Sequence, residues 1–279
     1  GSEVIVRNFS FPELPEEEIE PAVRMEAAQV CPFEMEQGVV VYHQTPFETA
    51  GAGESGGTAV GEKKTTGILA AAPHKIIRAK QMLVKSAGFH CAILETDSLA
   101  LLNGLRSYQR IPPGQALVLV NVGAKYSNVI ITAGDGIPFM RDLPHAGSTM
   151  IEQVAQESQM TPEQVRACLR EPRQAAGGNL ELAGRLKGAC QNLLSDISET
   201  IRYYKAHIGF AQTETVLVSG GFSLVPGFLE FLGGELPEAV VRWNPFDQIP
   251  CEKHVTGADW IDRCGPAFAV AAGLAMRSL

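Results

Sequence analysis

The sequence predicts an α/β protein with a ligand cleft between two glycine turns. Residues Ala116–Thr132 read ALVLVNVGAKYSNVIIT, and residues Val216–Phe222 read VLVSGGF. In the first segment an apolar strand over Leu117–Val122 turns at Gly123-Ala124, and a second strand leaves over Val129–Thr132. In the second, strand Val216–Val218 runs into Ser219-Gly220-Gly221, with a helix to follow. Short apolar runs bounded by turn residues are the pattern of fully buried strands. Along the rest of the chain, strand patterns interleave with helical ones, which favours mixed layers. Glycine lets backbone approach a ligand closely and leaves N–H groups free for an anion. A helix starting beside such a turn adds its positive end. The pair of turns therefore reads as a nucleotide cleft, phosphates on the first and base on the second. A Gly-Gly after a strand is by itself more often a plain turn, so the weight rests on the order of the whole chain.

The first part of the chain reads as strand, helix, strand, strand. Glu3–Phe11 alternates apolar and polar residues, as a half-buried strand does. Pro15–Val30 reads as a helix with acidic residues in its first turn, where the dipole favours them, and with Ile19, Val23 and Ala27 on one face. Gly38–Gln44 and Thr66–Ala72 are the next strands. The stretch Thr45–Thr65 between them is rich in Gly, Ala, Ser, Glu and Lys and is expected to be a mobile hairpin extension. A helix over Pro73–Ala87 ends at Gly88 as a C-cap, followed by a short strand over Cys91–Glu95 and a helix over Thr96–Ser107.

Pro112-Pro113-Gly114 breaks the chain, and the main domain boundary is placed there. The two strands of the first glycine turn follow, with a third over Ile137–Leu143. Helices are expected over Ser148–Ser158 and Thr161–Arg170, the latter with a Thr-Pro start. The longest helix is Asn179–Ile208, whose Leu186, Cys190, Leu193, Ile197, Ile201, Tyr204 and Ile208 make one core-facing stripe. A helix over Leu224–Leu232, a strand over Val240–Trp243, the tripeptide Asn244-Pro245-Phe246 and a small apolar helix over Pro266–Arg277 complete the chain.

Composition narrows the function. The chain has 279 residues, 45% of them hydrophobic, and a net charge of −8. Its basic residues are dispersed, which argues against a nucleic-acid surface. The apolar stretch Pro266–Met276 is too short to span a bilayer, and the first residues carry no secretory signal. The six cysteines show no CxxC spacing and the six histidines no HExxH pattern. No metal site and no redox motif is read, and the thiols read as reduced and mostly buried.

The ordered set VIVRNFSFPELPEEEIEPAVRMEA, CPFE (Cys31–Glu34), LVNVGAKYSNVII, FMRDLPHAG, VLVSGGFSLVPGFLEFL, NPF and PAFAVAAGLAMRSL resembles the PilM family of type IV pilus platform proteins. This family is related to the cell-division protein FtsA within the actin/Hsp70/sugar-kinase superfamily. The resemblance implies an actin-like ATPase fold with a strand–helix–strand–strand small subdomain of SHS2 type over residues 1–72. Residues 73–111, with 266–279, would belong to subdomain 1A, and 112–265 to subdomains 2A and 2B. The family's first strand–turn, a D-I-G-S-type phosphate clamp, has no equivalent here, so the resemblance implies that the first strands of subdomain 1A are missing. By the same resemblance the nucleotide-binding residues would be Asn121, Gly123, Ala124, Ser127, Gly147, Ser219, Gly220, Gly221 and Phe222, with no catalytic residue assigned.

Two departures bear on that site. The acidic residue expected before the first turn is Asn121, and the paired glycines expected after RDLP are Ala146-Gly147. A neutral amide is a poorer ligand for Mg²⁺ than a carboxylate, and a methyl takes space from a phosphate. The expectation is a weak or absent ATP and Mg²⁺ site in this chain, with room for one in a full-length protein. The resemblance further implies a cytoplasmic scaffold peripheral to the bacterial inner membrane. Its partner would be the N-terminal tail of a PilN-like bitopic membrane protein, held in a groove between the small subdomain and subdomain 1A. Phe11, Leu14, Arg24, Glu26 and Phe33 are the candidate groove residues. Self-association is a further arrangement it allows; direct membrane insertion is not expected. Alternatives within the superfamily are an FtsA-like divisome protein or a type II secretion GspL-like cytoplasmic domain. A small-molecule kinase would need Asp142 or His145 as the base near the phosphates.

Overall fold

The computed structural model describes residues 4–45, 64–134, 136–170, 179–208, 212–249 and 257–277. The expected mobile extension at Thr45–Thr65 falls almost entirely outside the described residues. The chain forms two compact units, 1–94 with 135–139, and 95–134 with 140–279. The Pro112–Gly114 break lies inside the second unit.

The first unit contains β1 (Ile5–Pro12), α1 (Glu16–Val30), β2 (Gly38–Thr45), β3 (Lys64–Pro73) and α2 (His74–Ser86). The strands form an antiparallel sheet in the order β1-β3-β2. The strand–helix–strand–strand order follows from local patterning. Glu16, Glu17 and Glu18 occupy the first turn of α1, and Ile19, Val23 and Ala27, spaced by four, face the sheet. They meet Phe9 and Leu69 in one buried cluster, against which Phe11, Leu14, Cys31, Met35 and Val40 pack. The strand expected over Cys91–Glu95 does not form, and residues 89–96 lack regular structure. Its apolar sequence has no partner strand among the described residues, and a strand without a ladder leaves its amides unpaired. Phe89, Ile93 and Leu94 are accordingly exposed.

The second unit begins with α3 (Asp97–Tyr108), capped by the Thr96 hydroxyl. Then come β4 (Gln115–Val122), β5 (Ser127–Thr132), β6 (Phe139–Leu143), α4 (Gly147–Ser158), α5 (Pro162–Arg170), α6 (Asn179–Ala189), α7 (Gln191–His207) and β7 (Gln212–Ser219). It closes with α8 (Phe228–Glu235), β8 (Ala239–Arg242), α9 (Ala258–Cys264) and α10 (Ala269–Ala275). The sheet order is β6-β5-β4-β7-β8. Strand β4 is antiparallel to β5 and parallel to β7, and β7 is parallel to β8. Val118, Leu119, Val120 and Val122 have no exposed surface, as expected of a strand covered on both faces.

Three helices differ from the sequence reading. The long helix expected over Asn179–Ile208 is two helices parted at Cys190, whose N–H is shared between Leu186 O (3.0 Å) and Lys187 O (3.2 Å). Such bifurcated bonds mark a helix end, and Gly188 just before it weakens helix continuity. The stripe Leu193, Ile197, Ile201 and Tyr204 is core, while Ile208 is exposed. The helix expected from Leu224 starts at Phe228, because Pro226 and a left-handed Gly227 interrupt it. The C-terminal helix is a 3₁₀ turn at Gly265–Phe268 followed by α10. Helix α10 lies against α3 so closely that a Cβ on Gly273 would overlap the Ala100 carbonyl. The start of α3 is tied to the chain end by the buried Glu95, which accepts from Asn103 Nδ2 (3.1 Å to each oxygen) and pairs with Arg277.

A second buried carboxylate, Glu238, enters β8 with its side chain 4% exposed and meets Lys205 Nζ of α7 at 2.8 Å. Removing the cation strands the carboxylate. Lys205→Ala should cost about 2 kcal/mol, the range for an unsatisfied buried charged partner. Adding Glu238→Gln should recover at least half of that. The measurement is the urea midpoint at unchanged m-value. A Lys205→Ala loss no larger than that of an ordinary surface substitution would show the pair to be inert.

Candidate functional site

The parallel pairing of β4 with β7 brings the two glycine turns together. The register sets Val120 beside Val218 and Asn121 beside Ser219. Both turns thus leave the carboxyl ends of adjacent parallel strands, the place where open α/β sheets bind ligands. Of the residues read from the sequence, Asn121, Gly123, Ala124, Ser127, Gly147, Ser219, Gly220, Gly221 and Phe222 all gather here.

Their hydrogen bonds run to groups of the same unit. Gly123 N–H donates to Tyr126 O (3.1 Å), Gly147 N–H to Gly123 O (2.9 Å) and Ser148 N–H to Ala124 O (2.8 Å). Gly220 N–H donates to Pro266 O (2.9 Å), which also accepts from the Ser219 hydroxyl (3.1 Å). The Ser127 hydroxyl donates to His145 O (2.7 Å). These are the groups that a phosphate cradle would present.

Beneath the first turn runs a chain of side-chain amides. Asn121 Nδ2 donates to Asn128 Oδ1 (3.0 Å), and Asn128 Nδ2 donates to Asp142 Oδ1 (2.8 Å). Ser98 Oγ also donates to Asp142 Oδ1 (3.2 Å). His145 Nε2 lies 3.6 Å from Asp196 Oδ2. Both candidate proton acceptors are therefore engaged with other parts of the unit. Cys190 has the most shifted thiol: burial pushes it up to about 12. It packs against Met150 Sδ at 3.4 Å, so it behaves as an apolar core residue rather than a nucleophile.

The first unit carries a separate cleft of about 360 Å³, lined by Arg24, Met35, Glu36, Gly38, Val39, Val40 and His74. It runs beside β2, one of the two outer strands of its sheet. Val39 and Val41 on that strand are 36% and 57% exposed. The candidate groove residues divide. Arg24 lines the cleft, with Glu20 3.6 Å from its guanidinium. The Phe33 ring covers Gly38, one of the cleft residues. Phe11 stacks on Phe9 (5.2 Å between centroids) and turns to the core, as does Leu14. Glu26 is half-buried on α1 and is not among the cleft-lining residues. Sequence reading did not single out Met35, Glu36, Val39 or His74. The available signal was Val39-Val40-Val41, apolar on both faces of an outer strand.

Fold and site together define an actin-like α/β protein. The chain is similar to the solved structure of the ethanolamine utilization protein EutJ from Carboxydothermus hydrogenoformans, with 16% identity and a TM-score of 0.51 over 72% of this chain and 60% of that one. It is also similar to MreB 5 of Spiroplasma citri bound to AMPPNP, with 11% identity and a TM-score of 0.50 over 74% and 64%. Similarity to a PilM-PilN type IV pilus biogenesis complex reaches a TM-score of 0.80 at 22% identity, covering 99% of this chain and 76% of that one. No curated protein matches. The model of the family described as type IV pilus assembly protein PilM matches residues 1–279, and the chain belongs to that family.

The two adjacent glycines of the second turn respond differently to a side chain. Gly220 has φ +87°, and a Cβ there would press on the Val122 backbone, 2.7 Å from its nitrogen. Gly221 is exposed, and its Cβ would meet only Ala267 Cβ at 3.9 Å. Gly220→Ala should lose at least about 3 kcal/mol, since backbone strain alone costs about 1–3. Gly221→Ala should stay within about 0.5 kcal/mol. Thermal and chemical denaturation of both variants check this, and equal losses would contradict it.

Proposed function

We propose that this protein is a scaffold of the type IV pilus machinery, working at the cytoplasmic face of the inner membrane. It takes up an extended tail peptide of a PilN-like single-span membrane protein on its first unit. The observation that carries this reading is the cleft beside β2. It offers a cation at Arg24, an acid at Glu36 and apolar walls at Met35, Val39 and Val40, next to an outer strand with exposed valines. An extended peptide takes affinity from strand-edge hydrogen bonds and specificity from such flanking side chains. Membership of the PilM family and likeness to a structure titled as a PilM-PilN complex support the partner's identity. No helix among the described residues is long and apolar enough to cross a membrane, so attachment through a membrane-spanning partner suits the chain.

The second half of the reading is a weak or silent ATP site. A nucleotide at the glycine turns would need the amides of Gly123, Gly147 and Ser148, and each already donates to a backbone carbonyl. Mg²⁺ would find the Asn121 amide where a carboxylate serves better, and that amide donates to Asn128. The residues present fit a phosphate and its metal poorly. A kinase has less support, because Asp142 and His145 are both held in other contacts.

Titration of a PilN-like tail peptide against the 279-residue chain tests the scaffold. Binding is expected at about micromolar Kd. Arg24→Glu and Val39→Asp should each weaken it by at least about tenfold, or 1.4 kcal/mol, at unchanged melting temperature. Wild-type protein that ignores the peptide, or variants that bind it as well as wild type, would remove the cleft from the reading.

A further inference from the structure

We propose that Phe222 is a built-in plug of the cleft between the two glycine turns, standing where a purine nucleotide would otherwise enter. This rests on the reading of that cleft as a silenced nucleotide site and names the residue responsible.

Phe222 is the first large side chain after Gly220-Gly221, so its backbone belongs to the second turn. Its ring reaches Gly147, the first residue of α4, which bonds back to the first turn. A Cβ built on Gly147 would lie 2.9 Å from Phe222 Cδ2, and Gly147 itself is bonded to Gly123 O. The absence of a side chain at Gly147 therefore makes room for the ring, and for the Gly123 carbonyl oxygen, 3.1 Å from the same Cβ position. Phe222 is 5% exposed and meets Phe228 edge-on, with centroids 5.0 Å apart and an interplanar angle of 84°. That is a favoured aromatic geometry. The backbone holds the ring in place: Ser223 Oγ donates to Gly220 O (2.7 Å), and Val225 N–H donates to Phe222 O (3.0 Å). A phenyl ring fixed at both ends of the cleft excludes a planar base of similar thickness. Removing it leaves an aromatic-sized space walled by Phe228 and Gly147. A void of that shape in an apolar setting accepts a flat ring, and the reading of the turns as a nucleotide site makes that ring the base of adenosine or its phosphates.

The test measures binding of adenosine and Mg-ADP by titration calorimetry to wild type, Phe222→Ala and Phe222→Leu. Wild type should show no saturation at about millimolar ligand, and Phe222→Ala should bind adenosine at least about tenfold more tightly. Phe222→Leu keeps most of the apolar volume and should fold where the alanine variant does not, with a smaller gain. A folded Phe222→Ala or Phe222→Leu with no gain overturns the plug and leaves the silenced-site reading standing. Micromolar binding by wild type overturns both. Gly147→Ala supplies an arm without ligand. Its methyl should lower the melting temperature in the wild-type background and do so by less than half as much in Phe222→Leu. The part of the loss due to the Gly123 carbonyl oxygen, 3.1 Å from that methyl, is common to both backgrounds, so a loss in Phe222→Leu larger than in wild type overturns the contact.

Discussion

The parallel pairing of β4 with β7 is the constraint on which the second unit depends. The two strands are far apart in sequence: β5 and β6 extend the sheet on the other side of β4, and the chain after Leu143 must then return to pair β7 with β4. Register then fixes what meets at the carboxyl ends: Asn121 falls beside Ser219, and the turn after each strand faces the other. Both strands are buried at those ends, so the turns cannot shift without exposing valine and leucine. A slip by one residue would move every side chain to the opposite face of the sheet and undo the packing of both layers. Gly220 marks how tight the meeting is, since its neighbour across the strands is the Val122 backbone itself. The turns are thus placed by burial, whether or not any ligand is present.

Placement of the backbone and availability of its donors are separate matters. A binding turn must keep N–H groups unpaired until ligand arrives, and each buried unpaired group costs about 1–3 kcal/mol. Here Gly123, Gly147, Ser148 and Gly220 all donate within the unit. The polar side chains behave alike: the run from Asn121 through Asn128 to Asp142, joined by Ser98, binds β4, β5, β6 and α3 to one another. A carboxylate at position 121 would face the Asn128 carbonyl oxygen and lose the donor that starts the run. The amide therefore has a structural reason to be there.

Much of the fold was legible in the sequence, because burial wrote it there. The period-two strands of the first unit, the four-residue spacing of Ile19, Val23 and Ala27, and the glycine turns all carry their own physical signature. What was not legible depends on partners outside the local window. Cys91–Glu95 has strand composition but lacks a neighbouring strand, and the helix around Cys190 parts where a shared hydrogen bond replaces two. The gathering of nine candidate residues at the turns followed from strand order. That their amides would bond to each other could not be read from residue types, since the same glycines serve a phosphate or a carbonyl. In the first unit, Phe11 and Leu14 look like any exposed apolar pair in sequence. Only the packing shows that Phe9 and Leu69 claim them.

The two units differ in how their polar groups are satisfied, and this difference underlies the proposed binding role. Chemistry requires groups held in unstable isolation, with shifted proton affinities and donors aimed at empty space. In the second unit the side chains that could do chemistry are engaged in contacts. His145 lies near Asp196, Cys190 is withdrawn beside Met150, and Asp142 accepts from Asn128 and Ser98. The first unit instead leaves valines of an outer strand exposed beside a mixed cleft, which is costly in water and harmless once covered. On the proposed reading, turns whose amides already bond to carbonyls offer few free donors to a nucleotide. The outer strand beside the cleft, with Val39 and Val41 exposed, is where the proposed peptide would be held in one register.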